Sequence, residues 1–168
     1  MSVDTRWLSP EQLAAWVRLA AVLELLPPTL DSQLRRDAQL THFDYYVLAM
    51  LSEAPDRTLR MTALADRTAA SLARLSHVVQ RLENRGLLER FPCPEDRRAT
   101  NARLTEAGWQ KVRESAPGHV DTVRRNVIDA LTPEQVTQLA EISDAILHRL
   151  DPDGARAAVY RRYDPPRP

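Results

Sequence analysis

Residues 72–87 read LARLSHVVQRLENRGL, and this stretch decides the fold. Gly86 stands where a left-handed residue commonly ends a helix, which predicts a helix from about Ser71 to Arg85. The predicted buried face is apolar at helical spacing and consists of Leu72, Leu75, Val78, Val79 and Leu82. The opposite face is small, polar and basic, and consists of Ala73, His77, Gln80 and Asn84, flanked by Arg74, Ser76 and Arg81.

The flanking segments predict a small lobe around this helix. A short helix begins near Thr62, and residues 68–70 form the turn between the two helices. After the helix come two short segments, 87–91 and 99–104, separated by PCPEDRR. Alternating side chains in the second segment predict a β-hairpin whose tip carries arginines. Short helix, tight turn, longer helix and hairpin, in that order, are typical of a winged helix-turn-helix.

Such a lobe can read duplex DNA. The exposed helical face can enter the major groove, where Arg74 and Arg81 would reach guanine or phosphate and Gln80 would address adenine. The arginines of the hairpin tip would reach the adjoining minor groove, where the potential is negative. A helical module that binds a protein partner through the same exposed face is the alternative that these residues leave open.

Two capping boxes mark the outer helices. Ser9-Pro10-Glu11-Gln12 and Thr132-Pro133-Glu134-Gln135 each place a hydroxyl at the N-cap, proline at the first helical position and glutamine three residues after the cap. We predict that Pro27-Pro28 interrupts or kinks the first helix, with 30–39 either a second helix or its continuation. Further predicted helices cover about 43–53, 105–131 and 132–150, and the proline-containing tail from Asp151 is expected to be partly disordered or to lie on the surface.

The charge is uneven along the chain. The 168 residues carry 23 basic and 23 acidic side chains, so the formal net charge is zero. Residues 56–104, however, hold ten arginines against six acids, a net charge of +4. Residues 1–55 carry −3, residues 105–150 carry −2 and the last eighteen residues carry +1. The predicted lobe is therefore a basic patch between acidic arms, as DNA binding requires.

Several protein classes are excluded on composition. The single cysteine rules out a disulfide scaffold. The apolar run of residues 16–26 contains Arg18 and Glu24 and is shorter than the roughly 20 residues that a membrane span needs. The first ten residues include Asp4, Arg6 and Pro10 and lead into no apolar leader segment. We therefore expect a soluble, cytoplasmic protein with no membrane partner.

Residues 72–87, with CPEDRRAT at 93–100 and LTEAG at 104–108, closely resemble the MarR family of bacterial transcription regulators. The resemblance covers about residues 8–150. It implies a mainly α fold with a small β-wing, in which a winged helix-turn-helix is embedded in a helical dimerisation domain. The chain then divides into N-terminal dimerisation and lead-in helices (1–55), the DNA-binding lobe (56–104), C-terminal dimerisation helices (105–150) and a Pro/Arg-rich tail (151–168).

The resemblance also implies partners and contacts. It predicts a homodimer with interlocked first and last helices that binds a palindromic operator in double-stranded DNA, more often as a repressor. In the wing, Arg98 would enter the minor groove, Asp96 would orient its basic neighbours and Arg97 would contact phosphate. Relatives often carry Ser or Thr in the turn, where this chain has Ala69 and Ala70. The recognition-helix contacts are then expected to be Ser71, Arg74, Ser76, His77, Gln80 and Arg81.

Small aromatic effectors bind many relatives between the lobe and the dimerisation helices. Such a cleft could be lined here by Trp16, His42, Phe43, Tyr45 and Tyr46, or these side chains could simply pack the helix junction. No nucleophile and base pair or nucleotide-binding motif supports an enzyme or a cofactor. The four histidines are widely separated, so no metal site is expected. Cys93, at the wing, is not expected to act as a thiol sensor.

Overall fold

The computed structural model describes residues 5–94, 96 and 98–164 of the chain. Short 3-10 turns, Pro55–Arg57 and Ile128–Ala130, join some of the elements. In chain order the elements are α1 (Pro10–Ala38), α2 (His42–Ser52), β1 (Thr58–Arg60), α3 (Met61–Arg67), α4 (Leu72–Asn84), β2 (Leu88–Pro92), β3 (Thr100–Leu104), α5 (Glu106–Asn126), α6 (Pro133–Leu150) and α7 (Ala157–Tyr160). The fold is mainly α with a small three-stranded wing sheet, which confirms the predicted fold class.

The first helix is longer than its prolines suggest. The predicted capping box at Ser9 is present, and the 29-residue helix continues through Pro27 and Pro28 to Ala38. An interruption at the prolines is therefore wrong, and the alternative of a continuous helix is confirmed. Beyond the prolines the helix buries an apolar stripe against the rest of the fold, which offsets the lost backbone hydrogen bonds: Leu30, Leu34 and Ala38.

The same helix carries much exposed apolar surface. An 18-residue window of α1 has a mean hydropathy of 1.4, so the helix is long and apolar enough to cross a membrane by length and composition alone. The expectation that apolar runs here are too short is wrong, because Arg18 and Glu24 are only two charges in a long stretch. One helix of this kind is weak evidence of a membrane span, because the test rests on length and composition only. The exposed large apolar side chains of α1 are Leu13, Trp16, Val17, Leu19, Val22, Leu23 and Leu25.

The core lies where α2, α3, α4 and the sheet meet the end of α1. As predicted, α4 buries Leu75, Val78, Val79 and Leu82. Leu72 was expected in this core, but 47 % of it is exposed. The reason is its place in the first turn of α4, where its side chain faces the cleft beside the wing instead of the α2–α3 core.

The sheet contains one strand more than the predicted hairpin. Strands β2 and β3 pair antiparallel from Leu88↔Leu104 to Pro92↔Thr100, which confirms the hairpin. Strand β1 pairs with the other edge of β3, with Leu59 opposite Ala102. Only three residues long, β1 has too few positions to show an alternating pattern.

Helix α5 leaves the wing and packs along α1. It ends at Asn126, earlier than predicted, because a 3-10 turn precedes the capping box at Thr132. Helix α6 then buries none of its residues. Its large exposed apolar side chains are Leu139, Ile142, Ile146 and Leu150.

The tail folds back onto the lobe. Val159 of α7 packs against the core, and Arg162 forms an ion pair with Glu53 at the end of α2, at 2.9 Å. The Tyr163 hydroxyl donates to the same carboxylate at 3.3 Å. Residues 157–163 therefore lie on the surface between α2 and α6, where Arg161 also pairs with Asp144, and residues 165–168 fall outside the described residues.

Candidate nucleic-acid interface

The exposed face of α4 is held at its start by a cap. Ser71 is the N-cap residue, and its hydroxyl accepts a hydrogen bond from the Arg74 backbone N–H at 3.2 Å. The turn before it reaches the left-handed region at Ala69, with φ 51°. Ser71, Arg74, His77, Gln80 and Arg81 are exposed and Ser76 is half-buried, so all six predicted contact residues reach one accessible surface.

Two arginines of this face are positioned by α2. The Arg74 guanidinium lies 4.3 Å from the centre of the Phe43 ring, a cation–π arrangement. Arg81 Nη2 lies 2.5 Å from Oδ1 of Asp44, whose side chain is 3 % exposed while that of Arg81 is 51 % exposed. Because Asp44 also accepts from the Thr41 backbone in the α2 capping box, one buried carboxylate fixes both the start of α2 and the direction of Arg81.

Among the described residues of the wing tip, one arginine is almost fully exposed. The Arg98 side chain is 96 % exposed, and its Nε lies 3.5 Å from Oδ1 of Asp96. The same carboxylate accepts the Arg98 backbone N–H at 3.1 Å, so Asp96 shapes the turn that carries Arg98. Arg97 lies outside the described residues.

A cleft between α4 and the wing connects these two surfaces. Its lining includes Ser76 and Leu72 of α4, Thr62 of α3, and three arginines from three separate elements: Arg60, Arg90 and Arg98. Sequence reasoning did not single out Arg60 or Arg90. Only the +4 charge of residues 56–104 signalled them, because Arg60 lies on the unpredicted strand β1 and Arg90 on β2.

Arg90 joins the wing to α4. Its backbone N–H and its guanidinium both donate to the carboxylate of Glu83, at 2.8 Å and 2.6 Å. The guanidinium also donates to Oε1 of Gln80. The Gln80 amide in turn donates to Oδ1 of Asn84 at 3.0 Å. A continuous chain of hydrogen bonds therefore runs from β2 along the exposed face of α4.

The candidate effector residues fall into two places. The rings of His42 and Tyr45 lie 5.9 Å and 4.7 Å from that of His119, where α2 meets α5. Tyr46 donates to the Arg67 carbonyl at 3.1 Å. Trp16 lies 22 residues before the end of α1, about 33 Å along the helix. The structure therefore brings His42 and Tyr45 together beside His119, whereas Phe43 contacts Arg74, Tyr46 contacts Arg67 and Trp16 lies far along α1.

The two histidines at this junction are half-buried. Burial lowers the pKa of His42 and of His119, and the proximity of His42 lowers the pKa of His119 further. Burial likewise raises the pKa of Tyr45. These rings are therefore uncharged near neutral pH. Among residues 5–94, 96 and 98–164, no group of three or more His, Cys, Asp or Glu side chains is placed to hold a metal ion.

Comparison with known proteins gives the family. The model of the MarR family matches residues 38–99. The crystal structure of Sco3205, a MarR family transcriptional regulator from Streptomyces coelicolor in complex with DNA, is 44 % identical and superposes with a TM-score of 0.84. The similarity covers 88 % of this chain and 92 % of that one. The chain belongs to the MarR family.

Other MarR-family proteins agree with this assignment. AbsC from Streptomyces coelicolor is 41 % identical, with a TM-score of 0.83 over 87 % of this chain and 98 % of AbsC. The HTH-type transcriptional repressor IacR of Pseudomonas putida is 28 % identical over 62 % of this chain and 61 % of IacR. The chain thus spans about three fifths of the curated relatives it matches. MarR-family proteins are DNA-binding transcription regulators and not enzymes. This confirms the prediction of a transcription regulator and the prediction that the chain is not an enzyme.

Proposed function

We propose that this MarR-family chain is a cytoplasmic, sequence-specific transcription regulator that acts as a homodimer on a palindromic operator. The observation that carries the proposal is the surface formed by α4 and the wing, where the polar and basic side chains of the capped helix α4 adjoin an almost fully exposed Arg98. The DNA complex of Sco3205 supports a DNA partner. Repression is supported by the names of IacR and of the transcriptional repressor MprA of Escherichia coli.

The homodimer is supported by uncovered apolar surface. Soluble monomers rarely expose contiguous apolar patches of this kind, so α1 and α6 need a partner. A second copy is the natural one, because the apolar side chains of α6 recur at helical spacing and a groove lies between α1 and α5. That groove is lined by Ala21, Val22, Leu25, Leu26, Thr29, Asn126 and Val127. Under this proposal residues 1–55 and 105–150 supply the dimer arms and residues 56–104 the reading lobe.

Replacement of Ile142 by Glu should separate the subunits. The side chain is 59 % exposed in the single chain, so a charge there costs little in the monomer but would be buried in the dimer. Light scattering after size exclusion should give twice 19.1 kDa for the wild type and 19.1 kDa for Ile142→Glu. Glu141→Ala, one residue away, is the matched control and should remain dimeric. A wild-type mass of 19.1 kDa at micromolar concentration would contradict the homodimer.

Relief of repression by a small aromatic ligand is the second half of the proposal. The ligand would bind where His42, Tyr45 and His119 meet, since this junction joins the arm helix α5 to α2, whose Phe43 and Asp44 contact Arg74 and Arg81 of α4. The buried Nδ1 of His119 has no hydrogen-bond partner within the described part of the chain, so a polar group of a ligand could pair with it. Release requires that the ligand prefer the spacing of the two lobes that does not fit DNA.

Salt dependence tests the DNA-binding function. Duplexes are first selected from a random pool, which also gives the half-site spacing, and their affinity is then measured by fluorescence anisotropy between 50 and 300 mM salt. The logarithm of the affinity should fall linearly with the logarithm of salt, by about one unit for each phosphate neutralised. A flat response would contradict the proposal and favour a helical protein-binding module. Addition of aromatic compounds to the same assay tests ligand release.

A further inference from the structure

The hydrogen bonds around Gln80 bear on which base in the major groove α4 prefers. We infer that Arg90, although it lies on the wing strand, is a positioning residue that turns the Gln80 amide so that α4 selects guanine and discriminates against adenine. The inference rests on the proposed DNA-binding function and adds to it a specificity-determining residue outside the recognition helix.

Arg90 is itself firmly held. Its Nε and Nη2 donate to Oε2 of Glu83 at 3.0 Å and 2.6 Å, and its backbone N–H donates to Oε1 at 2.8 Å. Both side chains are about three-quarters buried. Hydrogen bonds from Arg90 lower the pKa of Glu83, so the pair stays charged at neutral pH. Charge-assisted, multidentate contacts of this kind define one geometry for the guanidinium.

The fixed guanidinium determines the orientation of two amides. Arg90 Nη2 donates to Oε1 of Gln80, so the Gln80 oxygen faces the wing and its Nε2 faces along α4. Nε2 donates one of its two hydrogens to Oδ1 of Asn84, at 3.0 Å. Within the described part of the chain, the second hydrogen of Gln80 Nε2 and both hydrogens of Asn84 Nδ2 have no other partner. Each carbonyl oxygen already accepts one hydrogen bond from a protein donor, so the groups without any protein partner are N–H groups.

A side chain that offers only N–H donors can distinguish guanine from adenine. In the major groove guanine presents two acceptors, N7 and O6, whereas adenine presents one acceptor and one amino donor. Glutamine binds adenine with both its oxygen and its nitrogen, which requires that both atoms face the edge of the base. Here the oxygen faces Arg90, and turning the amide towards a base would break that charge-assisted hydrogen bond. The expectation from sequence that Gln80 addresses adenine assumed an unconstrained amide, and guanine is inferred in its place because of the contact with Arg90.

The test compares four full-length proteins on the selected operator: wild type, Gln80→Ala, Arg90→Met and Arg103→Met. Loss of discrimination in Gln80→Ala identifies the base pair that Gln80 faces. Dissociation constants are then measured for operators with G or A at that position. Arg103→Met is the matched control, since Arg103 lies on β3, pairs with Glu89 and makes no contact with Gln80. Circular dichroism melting establishes that each variant is folded.

The wild type and Arg103→Met should bind the guanine operator about tenfold or more tightly than the adenine operator. Arg90→Met should lose this preference or invert it, because the freed amide can then pair with adenine. A wild-type preference for adenine overturns the inference whether or not Arg90→Met folds, and so does an unchanged guanine preference in a folded Arg90→Met. Failure of every variant to bind any duplex would overturn the proposed function, and this inference with it.

Discussion

Arg98→Ala is expected to weaken binding to every duplex by about ten- to a hundredfold, the equivalent of roughly 1.5–3 kcal/mol for a hydrogen-bonded charge. The Arg98 side chain is 96 % exposed and is held only loosely, 3.5 Å from Asp96, so its charge is available to DNA. Operators with A·T-rich flanks should lose most, because a narrow minor groove has the strongest negative potential. The salt slope should also fall by about one unit.

Arg125→Ala is the control for this loss of charge. Arg125 is similarly exposed, at 66 %, but it forms an i,i+4 ion pair with Asp121 on α5, away from the wing. Its replacement should leave the anisotropy-derived Kd within about twofold, since isolated exposed pairs contribute little. Arg74→Ala should differ from both by changing affinity at particular bases. An unchanged Kd for Arg98→Ala would show that the wing does not enter the groove.

Gly108→Ala should destabilise the fold more than any single surface change. A Cβ at this position would lie 1.9 Å from the backbone oxygen of Leu87 and 2.7 Å from Cδ1 of Leu104. The Leu87 carbonyl cannot easily yield, because it accepts the Thr105 backbone N–H at 3.1 Å. The start of α5 would therefore have to move off the lobe. We expect a loss of about 2–3 kcal/mol in the free energy of unfolding and a Tm lower by about 5–10 °C.

Gly118→Ala separates steric clash from helix propensity in the same helix. Its added Cβ would meet the flexible end of Gln33, with Nε2 at 3.1 Å. Alanine is favoured over glycine in a helix by up to about 1 kcal/mol, so this variant should be as stable as the wild type or slightly more stable. Thermal and urea unfolding of both variants measures their free energies of unfolding relative to the wild type. Equal stability of Gly108→Ala and the wild type would be incompatible with the close approach of α5 to Leu87.

Local signals predicted the elements that local chemistry determines. Capping boxes located the starts of α1 and α6, and apolar spacing identified the buried face of α4. The failures share a cause, because each depends on residues distant in the chain. Strand β1 exists only through pairing with β3, and the continuation of α1 past Pro28 is stabilised by tertiary packing. Leu72 has helical spacing, but in the first turn of α4 it lines the open cleft beside the wing.

The sequence predicted which residues form the exposed surface of the candidate site, but not the directions in which their side chains point. Sequence identified exposed positions such as Arg81 and Gln80, because exposure follows from the helical repeat. It could not show that Arg81 is paired with Asp44, 37 residues earlier, or that Gln80 is paired with Arg90. Side-chain direction on this face is set by partners on α2 and β2, and such partners appear only once the chain is folded.

The length of α1 has a mechanical meaning. Its last two turns belong to the core of the lobe, while its first five turns lie outside that core, so the helix acts as a rigid lever about 43 Å long. A tilt of about 10° at the outer end would shift the lobe by about 7 Å, a sizeable fraction of the roughly 34 Å between successive major grooves on one side of a duplex. In the proposed homodimer, small rearrangements between the two subunits would thereby be amplified into a mismatch with DNA, without any change inside the lobe itself.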